Sequence, residues 1–122
     1  MLDITPRYLK KEEYLKIKGI NLDVELPEDD DPANASNRFI YRVEEKVINF
    51  LAVNYRVDVE VDVIDKNMNM FKLAIIEQIE NDITNGKHSE ICDNAKFYLR
   101  RAGLMNIKLG RPLKSGNIKR WY

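Results

Sequence analysis

Asn37-Arg38-Phe39-Ile40-Tyr41-Arg42-Val43-Glu44-Glu45-Lys46-Val47-Ile48-Asn49-Phe50-Leu51 is the stretch on which the fold turns. Phe39, Ile40, Val43, Val47, Phe50 and Leu51 recur at steps of three and four, which lays one apolar stripe along a helix of 3.6 residues per turn. Arg42, Glu45, Lys46 and Asn49 fall on the opposite face, and Ser36 stands where a hydroxyl can cap the first free amides. A helix is expected over roughly 37–54. Downstream, Met68, Phe71, Ile75, Ile79 and Ile83 repeat the same spacing, widened by Leu73 and Ile76, so a helix over about 66–85 is expected to be central, with Asp65 as its cap and Asn85-Gly86 as its end.

Shorter elements flank these two. Lys10 to Lys18 reads as a helix carrying Tyr14, Leu15 and Ile17 and stopped by Gly19, where left-handed backbone is needed. Ser89 to Ala102 reads as another, with Ile91, Cys92, Ala95, Leu99 and Ala102 inward, Arg100 and Arg101 at its negative end, and Gly103 as its stop. Val57-Asp58-Val59-Glu60-Val61-Asp62-Val63 alternates strictly, which predicts a strand with one valine and one acidic face, or else an extended connection between helices. Ile20 to Leu26 also alternates, and Pro27 to Pro32, with Glu28, Asp29, Asp30 and Asp31, reads as a solvated loop. The fold class is therefore mainly α: a small bundle of about four helices with room for a short strand or hairpin, and an extended C-terminal arm. The division falls between a helical domain at 1–103 and the arm at 104–122.

Composition narrows the function. At 122 residues the chain is one domain. It has a single cysteine, Cys92, so no intrachain disulfide can form and a reducing compartment is expected. No apolar run approaches the length of a membrane span. Neither a phosphate-binding glycine loop nor a set of zinc ligands is present, since His88 and Cys92 are the only residues of their kinds. The pairs Glu12-Glu13 and Glu44-Glu45 read as solubilising charges on helix exteriors. The three aspartates at 29–31 lack the spacing and glycine of a calcium loop. No catalytic, cofactor-binding or metal-binding residue is expected, and the chain reads as a non-enzyme.

Charge is split along the chain. Residues 1–86 hold 11 basic and 18 acidic side chains, a net of −7, while residues 87–122 hold 9 and 2, a net of +7. From Gly103 onward Lys108, Arg111, Lys114, Lys119 and Arg120 face no acidic residue at all, and the stretch ends in Trp121-Tyr122. Such a segment cannot build a core by itself, and its aromatic pair suits an interface anchor. It invites an acidic partner, nucleic acid, or the acidic body of another copy.

The opening Thr5-Pro6-Arg7-Tyr8-Leu9-Lys10-Lys11-Glu12-Glu13-Tyr14, followed by Gly19-Ile20-Asn21-Leu22, resembles the start of the head–tail connector (adaptor) proteins of tailed bacteriophages, with Lys10 where those carry threonine or serine. The long helix, the isoleucine-rich helix and the basic C-terminus are similar in layout. The resemblance implies a virion protein of the neck, assembled in the host cytoplasm, monomeric alone and forming a ring, typically of twelve subunits, between the portal protein and the stopper or tail-completion protein. It implies that Arg111, Leu113, Lys114, Ile118, Lys119, Arg120, Trp121 and Tyr122 dock on the portal. Glu28, Asp29, Asp30, Asp31, Asp58, Glu60 and Asp62 would then face a channel or a neighbouring subunit. Genomic DNA would pass through the lumen without sequence-specific binding, and no cofactor or membrane would be involved. The rival reading is a small helical DNA-binding regulator, with Arg100, Arg101 and the arm as its basic surface. An overall pI near 6.6 argues against that.

Overall fold

The computed structural model describes residues 6–22, 32–86 and 88–105, and among these the chain is mainly helical, with no strand. Five helices follow in order: α1 (Lys11–Lys18), α2 (Pro32–Tyr55), α3 (Val59–Asp62), α4 (Asp65–Asn85) and α5 (Asp93–Arg101).

Local chemistry sets most of the ends. At the start of α1 the Lys10 amide donates to Glu13 Oε1 (3.0 Å), so a glutamate supplies the cap that Lys10 lacks. Gly19, at φ 72°, ends α1 with its amide on the Leu15 carbonyl (2.7 Å). At α5 the Leu104 amide reaches the Leu99 carbonyl and the Gly103 amide the Arg100 carbonyl, around Gly103 at φ 78°. That left-handed glycine lets buried Leu104 pack where the helix stops.

The core is one cluster running from Leu9 to Leu104. In α2, Phe39, Ile40, Val43, Val47 and Leu51 are buried at their helical spacing; in α4, Phe71, Ala74, Ile75, Ile76 and Ile79 are. α4 packs against both α2 and α5, which makes it the central helix. Ala95 and Leu99 close the core from α5, and Tyr14 closes it from α1. Phe71 also meets the Tyr8 ring edge-on, with centroids 5.1 Å apart. Losing a fully buried phenylalanine of this kind costs about 3–5 kcal/mol.

Four sequence expectations are corrected. α2 begins at Pro32, five residues before the expected start, because proline's fixed φ suits the first helical turn; Ser36 therefore lies buried inside the helix and does not cap it. α5 begins at Asp93, not Ser89: the Ser89 hydroxyl donates to the Gly86 carbonyl (2.7 Å), and Cys92 Sγ takes the capping role, accepting from the Ala95 amide. Ile83, expected inward, is exposed near the end of α4. Residues 57–63 are not a strand but a tight corner holding the single turn α3. Alternation there misleads, since Val59 and Val63 are four residues apart and share a helix face, whereas Val61 falls opposite them and is 68% exposed.

Candidate interaction surface

The acidic corner is built by its own carboxylates. Asp58 Oδ1 accepts from the Glu60 amide (3.2 Å), and Asp62 Oδ2 accepts from the Asp58 amide (2.8 Å), so two of the three acidic residues satisfy amides at the start of α3. They do not line up on one face, as a strand would have arranged. Glu60 is exposed and ion-paired with Arg7 (3.3 Å). Arg7 also holds Glu45 at 2.6 Å. Burial works against the Arg7 charge, but Glu45 and Glu60 outweigh it and raise the guanidinium's pKa. The corner follows a left-handed turn at Arg56 (φ 57°), with the Arg56 amide on the Ala52 carbonyl and the Val57 amide on the Leu51 carbonyl.

Val57, Val59 and Val63 anchor the corner to the core, while Val53, Val61 and Ile64 are exposed (79%, 68% and 50%). This end of the bundle therefore offers apolar side chains interleaved with carboxylates. Glu28 to Asp31 and the arm residues Arg111, Leu113, Lys114, Ile118, Lys119, Arg120, Trp121 and Tyr122 lie outside the described residues.

Two polar seats went unread in the sequence. Glu44, taken as an exterior charge, is fully buried and receives three consecutive amides: Arg7 on Oε1 (2.8 Å), and Tyr8 and Leu9 on Oε2 (2.7 and 2.8 Å). Lys46, expected on the outer face, instead reaches Asp82 Oδ2 (2.6 Å) and the Ser89 carbonyl (2.8 Å). Gln78, also buried, donates to Asp82 Oδ1 (2.8 Å) and the Glu90 carbonyl (3.0 Å) and accepts from the Cys92 amide (2.8 Å). The only early signal was Asp82, which falls between Ile79 and Ile83 near the end of an otherwise apolar stretch.

Beside Lys46 and Asp82 an open groove of about 440 Å³ is lined by Phe39, Arg42, Asn49 and His88 among others. Its carboxylates are already engaged, Glu45 by Arg7 and Asp82 by Lys46, and Arg42 rests over the Phe39 ring at 5.8 Å. Among the described residues no group of three or more His, Cys, Asp or Glu side chains is placed to hold a metal ion, and no helix is long and apolar enough to cross a membrane. The chain matches no protein-family profile, no curated protein and no solved structure at a significant level.

Proposed function

We propose that this chain is a structural, non-enzymatic assembly subunit: a head–tail connector of a tailed bacteriophage, forming a ring between the portal and the stopper or tail. One observation carries the reading. Among the described residues the buried core reaches as far along the chain as Leu104, and the sequence from residue 106 on is a basic, glycine-bearing segment closing on Trp121-Tyr122. A segment of that composition cannot build a core by itself, and its aromatic pair and cations suit an acidic protein surface. The short α1 ended by Gly19 and the helical layout agree with the connector resemblance. On this reading Arg111 to Tyr122 dock on the portal, and the exposed corner at Val61 and Ile64 meets a neighbouring subunit or ring. Repetition by symmetry makes shallow contacts sufficient.

The test mixes the purified chain with portal rings from the same genomic neighbourhood and images the product by electron microscopy, beside a chain truncated after Gly110. Added ring density that disappears on truncation supports the proposal. No added density, together with duplex DNA binding that weakens steeply with salt, moves the assignment to a DNA-binding regulator.

A further inference from the structure

We propose that the corner at residues 53–65 is the docking surface for the chain's own C-terminal segment, residues 106–122. Three observations bring the two together.

The first is a set of exposed apolar side chains. Val61 and Ile64, in and just after α3, and Val53, in the last turn of α2, are among the most exposed large apolar side chains of the described residues. The second is charge complementarity between two amphipathic stretches. Residues 57–65 carry Asp58, Glu60, Asp62 and Asp65, interleaved with Val61 and Ile64, against Arg56 in the same corner and Arg7 paired with Glu60. Residues 106–122 carry five cations with no acidic residue, interleaved with Ile107, Leu109, Leu113 and Ile118. The third is position. The Asn67 side-chain amide donates both to the Asp62 carbonyl (3.3 Å) and to the Ala102 carbonyl (3.5 Å), so one side chain ties the corner to the end of α5. Leu104 is buried there, and residue 106 follows two positions later.

Proximity decides between this chain's segment and that of a second copy. Seventeen residues can extend over about 55 Å, far more than a path beginning beside the corner requires. A tether that short gives an effective concentration on the order of millimolar, so the tethered segment wins over another copy at micromolar protein. The consequence for assembly, that a self-covered corner keeps copies apart until a partner offers the segment a better seat, rests on the connector reading. The docking itself does not.

Trp121 is the chain's only tryptophan, so its fluorescence reports on the segment alone. The experiment compares its emission and acrylamide quenching in the full chain with those of a synthetic peptide of residues 106–122, at low and high salt and across protein concentrations. Docking predicts emission at shorter wavelength and weaker quenching than the peptide, independent of protein concentration. Both effects are lost in a Glu60→Lys/Asp65→Lys chain and reduced as salt screens the charges. Val61→Ser, a change at a surface position, weakens the protection without disturbing the corner's caps, and far-ultraviolet circular dichroism checks that each variant keeps its helices. Peptide-like emission in the full chain overturns the proposal. So does protection that grows with protein concentration, which marks contact between copies, or protection indifferent to every corner variant. A chain that shields Trp121 yet adds no density to portal rings refutes the connector reading and leaves this docking standing.

Discussion

Glu44 and Lys46 stand two residues apart on α2, which turns them to opposite sides of the helix, and each fastens an irregular segment to it. Glu44 takes the amides of Arg7, Tyr8 and Leu9 and so seats the approach to α1. Lys46 holds the α4–α5 connection through the Ser89 carbonyl, with Asp82 as its counter-ion. The chemistry differs in how charge is answered. Glu44 is buried with no cation paired to it among the described residues and relies on N–H dipoles alone. Lys46 and Asp82 neutralise each other, and Gln78 satisfies the remaining oxygen of Asp82. The first seat therefore has no substitute if its carboxylate goes, whereas the second spreads its work over three side chains.

The largest expected effect follows from that difference. Glu44→Ala leaves three neighbouring amides without their acceptor and opens a cavity beside Leu9, at a cost of about 3–5 kcal/mol. That is the lower part of the range for three groups at about 1–3 kcal/mol each, because the Arg7 and Tyr8 bonds are only part-buried. For a domain stable by roughly 5–15 kcal/mol this approaches global unfolding. Urea denaturation measures it. Glu44→Gln sharpens the point: one carbonyl oxygen survives while the amide nitrogen faces donors, so about half the loss is expected. Hydrogen exchange should rise at residues 7–9 before it rises in α4. Equal acceleration in both places would show that the seat is not a separate unit.

Next in size is Lys46→Met, which strands the Asp82 carboxylate in a nearly closed site. Removing one partner of a buried pair costs about 3–5 kcal/mol, and the lower end applies here because Lys46 keeps some solvent contact. Adding Asp82→Asn to that variant removes the orphan charge and keeps an oxygen for Gln78, so part of the stability returns. A double-mutant cycle read by thermal unfolding tests this, and strict additivity would mean that the two charges do not depend on each other. Smaller still is Asp58→Ala, where the bond spans only two residues. Loss of that cap costs about 1 kcal/mol and frays α3 without loosening either seat.

These fastenings also mark where reading the sequence stops. The two long stripes were legible because Phe39 to Leu51 and Phe71 to Ile79 repeat at helical spacing, and burial follows that spacing closely. Gly19 and Gly103 were legible because few other residues tolerate left-handed backbone at a helix stop. Residues 57–63 were not, since a two-residue alternation fits a strand and also hides the four-residue step from Val59 to Val63. Glu44 was opaque for a different reason. Next to Glu45 it looks like any surface pair, and the amides that bury it come from 35 to 37 residues earlier. A carboxylate seeking backbone donors leaves no pattern of side chains to recognise. The acidic corner was half legible: Asp58, Glu60 and Asp62 were singled out, but as a lined face and not as two caps beside an ion-paired Glu60.

The smallest effect belongs to a third fastening, which resembles Lys46–Asp82 in chemistry but lies near the surface. Glu13 meets Lys72 Nζ at 2.8 Å, tying α1 to α4. Burial pushes the Glu13 carboxyl up, but the Lys72 ammonium and the Lys10 amide outweigh it and hold the pKa below its ordinary 4.5. A carboxylate depressed in the folded state contributes stability that is complete above its unfolded value and lost as pH falls through the folded one. The gap between the native chain and Lys72→Met should therefore be present at neutral pH and shrink as acid is added below 4.5. With Glu13 more than a third exposed, solvent screening keeps the gap under about 1 kcal/mol, and added salt should narrow it further. Urea titrations at neutral and acid pH measure it. A gap unchanged by acid would assign the effect of Lys72→Met to lost packing of the lysine stem, and the contrast between paired and unpaired seats would then rest on the buried sites alone.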